Sequence, residues 1–193
     1  MAFPSSLLRW TLAVVGGGAA CIWLDYLHAT HGVTGYFRAD LGVQPWWVLL
    51  LFPTAVLVTV ATVEPTRRLL GGSQLPLPTL GQLVADFGLF VGAYALTSFL
   101  HDRPTLLALI LVGGWLGRCL GRQPLWVILF SLGNGVAGFA AEASLIALGQ
   151  FKYQHPDLFG VARWLPGIYL HAGLLGVTLS SLVRAPKPTA AAS

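Results

Sequence analysis

Charge is what this chain has least of. Among 193 residues, Asp, Glu, Lys and Arg together make up 9%, against about 25% in soluble domains. So little polar surface cannot wet a globule, which excludes a soluble enzyme and a disordered tail protein. Lysine is nearly absent: nine of the eleven basic residues are arginine, set singly or in pairs between apolar runs. The net charge of +4 is therefore no nucleic-acid footprint, which needs a clustered patch. Only two cysteines occur, Cys21 and Cys119. Nothing pairs them by spacing, and no Cys/His cluster has zinc spacing, so neither a disulfide framework, a metal site nor a cofactor is expected.

What is abundant is apolar sequence: hydrophobic residues make up 55%, with a mean hydropathy of +0.73. Six apolar segments span roughly 7–27, 45–63, 80–100, 105–120, 125–149 and 161–183. About 20 residues carry a helix across the roughly 30 Å of bilayer hydrocarbon. The runs are continuous and lack a period of two, so membrane strands are not expected. The expected fold is all-α: one integral membrane bundle of six transmembrane helices, with 185–193 as a tail. The first segment is read as a span, not a cleaved lipoprotein signal. Gly18-Ala19-Ala20 precede Cys21, but the apolar run continues through Ile22-Trp23-Leu24.

Basic residues orient the bundle. Arg9, Arg67, Arg68, Arg118, Arg122, Arg184 and Lys187 fall on the side of the N-terminus; Arg38, Arg103, Lys152 and Arg163 fall on the other. The excess puts both termini in the cytoplasm. All seven tryptophans fall near segment ends, as an aromatic belt at the membrane interfaces requires.

Small residues recur every four positions: Gly88 and Gly92; Gly113, Gly117 and Gly121; Ala172, Gly176 and Ser180. Each set puts small side chains on one helix face. That face either packs within the chain or forms a homo-oligomer interface. Pro53, inside the second segment, removes a backbone donor and should bend the helix, with Thr54 able to satisfy a freed group.

Polar groups at membrane depth carry the functional information, because a charge there costs about 3 kcal/mol or more unless it faces the interior. The candidates for holding a lipid's polar head are Asp25, Gln82, Asp86, His101, Asn134, Glu142 and His171. Asp86 can instead pair with Arg118, and Glu142 with His171, purely for packing. A proton relay through Asp86 and Glu142 would make the chain a small proton-coupled transporter. That predicts internal inverted repeats, and none is visible. A lipid-acting membrane enzyme using an acid and His171 is a third reading. However, no Gly-x-Ser-x-Gly elbow, His-Glu-x-x-His or phosphate loop is present, and Ser5 and Ser6 have no base at readable spacing.

Near the last segment, Pro156-Asp157-Leu158-Phe159 is followed by Arg163-Trp164-Leu165-Pro166-Gly167-Ile168-Tyr169. This resembles the Insig family, which carries Ser-Pro-Asp-Phe-Leu and then Ser-Trp-Leu-Pro-Cys-Ile-Phe before its last membrane helix. Gly149 and Tyr153 fit the family's Gly-x-x-x-Tyr just upstream. Trp46-Trp47-Val48 and Thr54-Ala55 fit its second span, Phe90-Val91-Gly92 its third and Trp115 its fourth. The resemblance covers about 45–184.

It implies six transmembrane helices with both ends cytosolic and a non-enzymatic lipid sensor. Eukaryotic members bind oxysterols in the membrane of the endoplasmic reticulum, retain the SCAP complex there and aid degradation of HMG-CoA reductase. Three departures bear on this. Arg118 stands where the family has its partner-binding aspartate, so a SCAP-type partner is not carried over. His101 lies near the family's sterol-implicated glutamine, and Gly167 replaces a cysteine. The resemblance therefore implies a bacterial relative in the cell membrane, holding a sterol or a diacylglycerol-like neutral lipid in an intramembrane pocket.

Overall fold

The computed structural model describes residues 6–184. Lys187, Ser5 and the tail at 185–193 lie outside them. The described residues form six helices in up-and-down order: α1 (Ser6–Thr30), α2 (Val48–Leu69), α3 (Leu80–Leu100), α4 (Pro104–Cys119), α5 (Leu125–Ala147) and α6 (Leu165–Val183). Five are long and apolar enough to cross a membrane; α4 is apolar but has 16 residues, about 24 Å at 1.5 Å each.

α6 is the central helix. Twelve of its 19 residues are buried, against three of 22 in α2 and three of 21 in α3. Its glycines explain this. A Cβ at Gly173 would sit 2.7 Å from the Ser131 Cα, at Gly176 2.6 Å from the Thr59 Cγ2, and at Gly167 2.6 Å from the Leu111 Cβ. Absence of a side chain lets α2, α4 and α5 approach α6 at backbone distance. The small-residue face of α6 therefore packs inside the chain. Those of α3 and α4 do not: a Cβ at Gly88, Gly92, Gly113 or Gly117 would meet nothing within 4 Å. Gly121 lies beyond α4 in a turn, at φ +67°, where glycine has no steric penalty.

Several expectations are corrected. The helix of the second segment runs from Val48 to Leu69, past the apolar run at 45–63, and its polar last turns are tied together. Glu64 pairs with Arg67 at 2.7 Å and Arg68 at 2.6 Å. Pro65 leaves the Ala61 carbonyl without its helical donor, and Arg184 Nη2 donates to it at 3.5 Å. The last span begins at Leu165, not 161. Thr54 makes no side-chain hydrogen bond among the described residues, so it does not compensate Pro53. The tryptophans divide: Trp23 and Trp46 face outward, but Trp115, Trp126 and Trp164 are core residues. Trp115 Nε1 donates to Ser131 Oγ at 3.0 Å.

Nor is the fold purely helical. Two short strands, β1 (Thr34–Tyr36) and β2 (Phe151–Tyr153), pair antiparallel with Gly35 opposite Lys152. They tie the loop after α1 to the loop after α5 and close one end of the bundle.

This ribbon exposes an internal repeat at a constant offset of 117 residues. Thr30 and Ala147 end α1 and α5. Gly32 and Gly149 follow with positive φ, then β1 and β2. A one-turn bridge follows each strand, Leu41 to Gln44 and Leu158 to Val161, and then Val48 and Leu165 open α2 and α6. Both copies start on an odd-numbered helix, so they cross in the same direction. This is a parallel repeat with its axis along the bundle, not the inverted one sought in the sequence. α3 and α4 are the insert between the copies.

Candidate functional site

A cavity of about 1150 Å³ runs along the inside of α1, α2, α3, α5 and α6. Ligand sites for drug-sized molecules measure about 300–1,000 Å³, so this one is large enough for a lipid. Its walls are apolar over most of their length, with Val56, Phe90, Leu175 and Leu179 among them. Arg9 lies at the end away from the ribbon and donates from Nη1 to the Leu182 carbonyl at 3.2 Å. A π-helical turn at Leu12–Gly16 contributes Leu12, Ala13 and Gly16 to the wall; such turns often mark functional sites. Leu12 and Val84 line the cavity and are 61% and 62% exposed, so the wall between α1 and α3 is open to the surrounding medium.

The polar end lies under the ribbon. Asp25 on α1 and Glu142 on α5 both line it, each five residues before its helix ends, about 7 Å at helical rise. They occupy equivalent places in the two repeats, and so do their partners. Tyr36 of β1 donates to Asp25 Oδ2 at 2.7 Å; Tyr153 of β2 donates to Glu142 Oε2. The copies then diverge. Asp25 Oδ2 also accepts from Gln44 Nε2 at 2.5 Å, whereas Glu142 Oε1 accepts from Tyr169 on α6 at 2.7 Å. Such bonds satisfy a buried carboxyl in an apolar surrounding.

His28, fully buried, donates from Nε2 to Thr97 Oγ1 at 2.5 Å, and Thr97 donates in turn to the Tyr94 carbonyl. The Tyr94 ring packs on His28 at 4.4 Å. Outside the membrane spans, burial pushes the Tyr36 phenol well above its ordinary range, with the Asp25 charge adding to the shift. Tyr36 is therefore a lasting donor.

Of the seven sequence candidates, Asp25, Asn134 and Glu142 line the cavity. Asn134 accepts from Thr59 Oγ1 at 3.3 Å and donates to the Tyr169 carbonyl at 2.7 Å. The other four lie elsewhere. Gln82 is exposed and closes a capping box with Thr79 at the start of α3. His101 bonds the Ser98 carbonyl and stacks on His155 beyond α3.

Asp86, Arg118 and His171 form a separate network between α3, α4 and α6. Arg118 Nη2 meets Asp86 Oδ1 at 2.8 Å, and its Nη1 donates to His171 Nδ1 at 2.7 Å. Thr178 donates to Asp86 Oδ2 at 2.6 Å. His171 Nε2 donates to the Leu111 carbonyl at 3.0 Å. The Asp86–Arg118 pair is thus formed, but Glu142 and His171 are not partners. Each is held by other groups.

Sequence reasoning missed Tyr36, Tyr94, Tyr153 and Tyr169. A signal for two of them existed: an acid followed eleven residues later by tyrosine, once in each repeat.

Six apolar helices, a ribbon closing one end and a lipid-sized interior with a polar cap define an integral, multi-pass helical membrane protein. Within that class the chain belongs to the Insig family. It is 31% identical over 189 residues to the INSIG protein homolog of Mycolicibacterium vanbaalenii, with 89% of this chain and 85% of that one aligned. Its fold matches the crystal structure of a mycobacterial Insig homologue, MvINS from Mycobacterium vanbaalenii, at a TM-score of 0.76 and 23% identity, covering 93% of this chain and 96% of that one. A cross-linked trimer of MvINS matches at the same TM-score and coverage with 24% identity. No family model matches the sequence.

Proposed function

We propose that this protein holds one amphipathic neutral lipid, a sterol or diacylglycerol-like molecule, inside the bundle without transforming it. The observation that carries the reading is the cavity's polarity: long apolar walls leading to one polar end built on Asp25 and Glu142. The lipid enters sideways between α1 and α3. Its tails exchange one apolar medium for another and gain little. Selectivity therefore comes from the head meeting buried polar groups.

The arginine bias supports an orientation with both termini in the cytoplasm, and the mycobacterial relative supports a bacterial cell membrane. A second copy of the chain is the expected partner. The glycine face of α4, which nothing in the chain covers, offers the surface, whereas Gly88 of α3 lines the cavity; a cross-linked trimer of MvINS is known. A carrier reading built on Asp86 and Glu142 has less support, because Asp86 is bound by Arg118 outside the cavity.

Mass spectrometry of lipid extracted from purified protein tests the main reading. The expected result is a neutral lipid in near-stoichiometric amount. Bulk phospholipid or detergent alone overturns it. Cross-linking in native membranes tests the assembly.

A further inference from the structure

We infer that the ribbon end of the bundle carries a second site, on its surface, for the head of a phospholipid that bears both a phosphate and an ammonium group, as in phosphatidylethanolamine. The site is a hollow lined by Arg38, Asp40, Trp46 and Trp47. Trp47 is the wall it shares with the central cavity, and the site does not depend on what that cavity holds.

The difference between the two copies of the repeat exposes it. In the second copy an ion pair fills the loop after β2. Arg163 donates to Asp157 at 2.5 Å and 3.0 Å, and to Thr105 Oγ1 at 3.1 Å. The offset of 117 residues puts Asp40 in the place of Asp157 and Trp46 in the place of Arg163. The first copy thus keeps the acid and replaces its cation by an indole. The Asp40 carboxylate has no hydrogen bond or ion pair among the described residues, and neither has the Arg38 guanidinium.

Where the second copy is filled, the first is open. The hollow measures about 350 Å³, within the range of small-ligand sites, and Gly149 and Gln150 of the other copy complete it. The Trp47 ring meets Tyr36 edge-on at 5.7 Å, which fixes that wall.

Each part of the lining has its own chemistry. A guanidinium takes a phosphate through parallel N–H donors. A carboxylate beside an indole takes an ammonium group, by charge and through the negative face of the ring. Arg38 and Asp40 are two residues apart on one loop, so a ligand that meets both carries an anion and a cation a few bonds apart. A phosphoethanolamine head has that arrangement. A purely anionic head meets Asp40 as a like charge, and a neutral head leaves both charges unmatched. The source of the head is a lipid. The loop lies past the end of α1 and before α2, at the level where bilayer head groups begin and tryptophan concentrates. Phe37 and Trp46, 62% and 57% exposed, offer apolar surface to the first carbons of the chains.

The test is native mass spectrometry of the full-length protein in detergent. It is titrated with phosphatidylethanolamine, with phosphatidylglycerol of the same chains, and with glycerophosphoethanolamine, which has the head and no chains. Phosphatidylethanolamine should bind about fivefold tighter than phosphatidylglycerol, as one exposed ion pair and one cation–π contact together provide. Asp40→Asn should remove that preference. Arg38→Gln should weaken both lipids by about threefold. Trp46→Arg, which copies the second repeat, should pair with Asp40, fill the hollow and abolish the preference. Wild-type protein that binds phosphatidylglycerol as tightly as phosphatidylethanolamine overturns the inference. So does a preference that survives both Asp40→Asn and Trp46→Arg, since the lipid is then held elsewhere. Glycerophosphoethanolamine binding as tightly as the lipid overturns the assignment to a membrane lipid. Arg38 and Asp40 are exposed, so their variants should fold, and the wild-type comparison stands even where Trp46→Arg does not. None of these outcomes touches the neutral lipid of the central cavity, which extraction identifies separately.

Discussion

Replacing Arg118 by leucine should destabilise the bundle more than replacing Arg118 and Asp86 together. The Arg118 and Asp86 side chains are 14% and 26% exposed and 2.8 Å apart. Removing one member of a buried pair costs about 3–5 kcal/mol, because the other charge is left in an apolar surrounding. Two features reduce this. Asp86 keeps the Thr178 hydroxyl, and its partial exposure admits some solvation. About 2–3 kcal/mol is then expected for Arg118→Leu. In a chain of this length 1 kcal/mol moves the midpoint by about 2–4 °C, so the loss should be about 4–12 °C. Arg118→Leu combined with Asp86→Leu removes both charges, leaving His171 Nδ1 without its donor and the Thr178 hydroxyl with only the Leu174 carbonyl at 3.4 Å. That variant should recover more than half of the loss. Thermal unfolding in detergent, followed by intrinsic tryptophan fluorescence, reads the wild type, Arg118→Leu, Asp86→Leu and the double variant. A double variant as unstable as the sum of the singles would refute the reasoning, since the charges would then act independently. So would a single variant that melts with the wild type.

Gly138→Ala would put a Cβ 2.3 Å from the Tyr169 ring. It should cost about 1–3 kcal/mol by overpacking and loosen the Tyr169–Glu142 bond. Gly133→Ala, in open space, should change the melting point little, and equal melting of the two variants would count against the packing described. The loop before α6 should respond to acid. Arg163 donates to Asp157 at 2.5 Å and 3.0 Å and holds its carboxyl below the ordinary value. The pair's stabilisation is present above the free carboxyl value and is lost as pH falls through the lowered one. Hydrogen exchange of 155–163 should therefore be flat from pH 7 to pH 5 once corrected for intrinsic rates. It should rise only below about pH 4. Arg163→Leu should raise it at neutral pH, and no change on that substitution would sink the assignment.

The number of helices was legible because hydropathy in a bilayer is a one-dimensional constraint. Their ends were less so. Glu64, just past the apolar run at 45–63, is inside α2, and its partners Arg67 and Arg68 are on the same helix. The site was half legible. Burial cost singled out Asp25, Asn134 and Glu142 correctly as groups facing the interior. The same criterion also picked Gln82, and the family resemblance added His101; both lie near helix ends and are satisfied locally. It picked Asp86 and His171 too, whose cost is offset by Arg118. A polar residue needs a partner, but its sequence position does not say which.

The amino-acid order by itself settled that the chain lives in a bilayer, in six apolar segments, with family motifs in register along the last five. These follow from transfer free energy and local chemistry, which add residue by residue. Only the folded chain decided which polar groups share a room. The β1–β2 ribbon, the glycine-lined seams of α6 and the duplicated acid–tyrosine pairs join residues over a hundred positions apart. Such contacts are set by close packing in three dimensions, for which the linear pattern carries no coordinate.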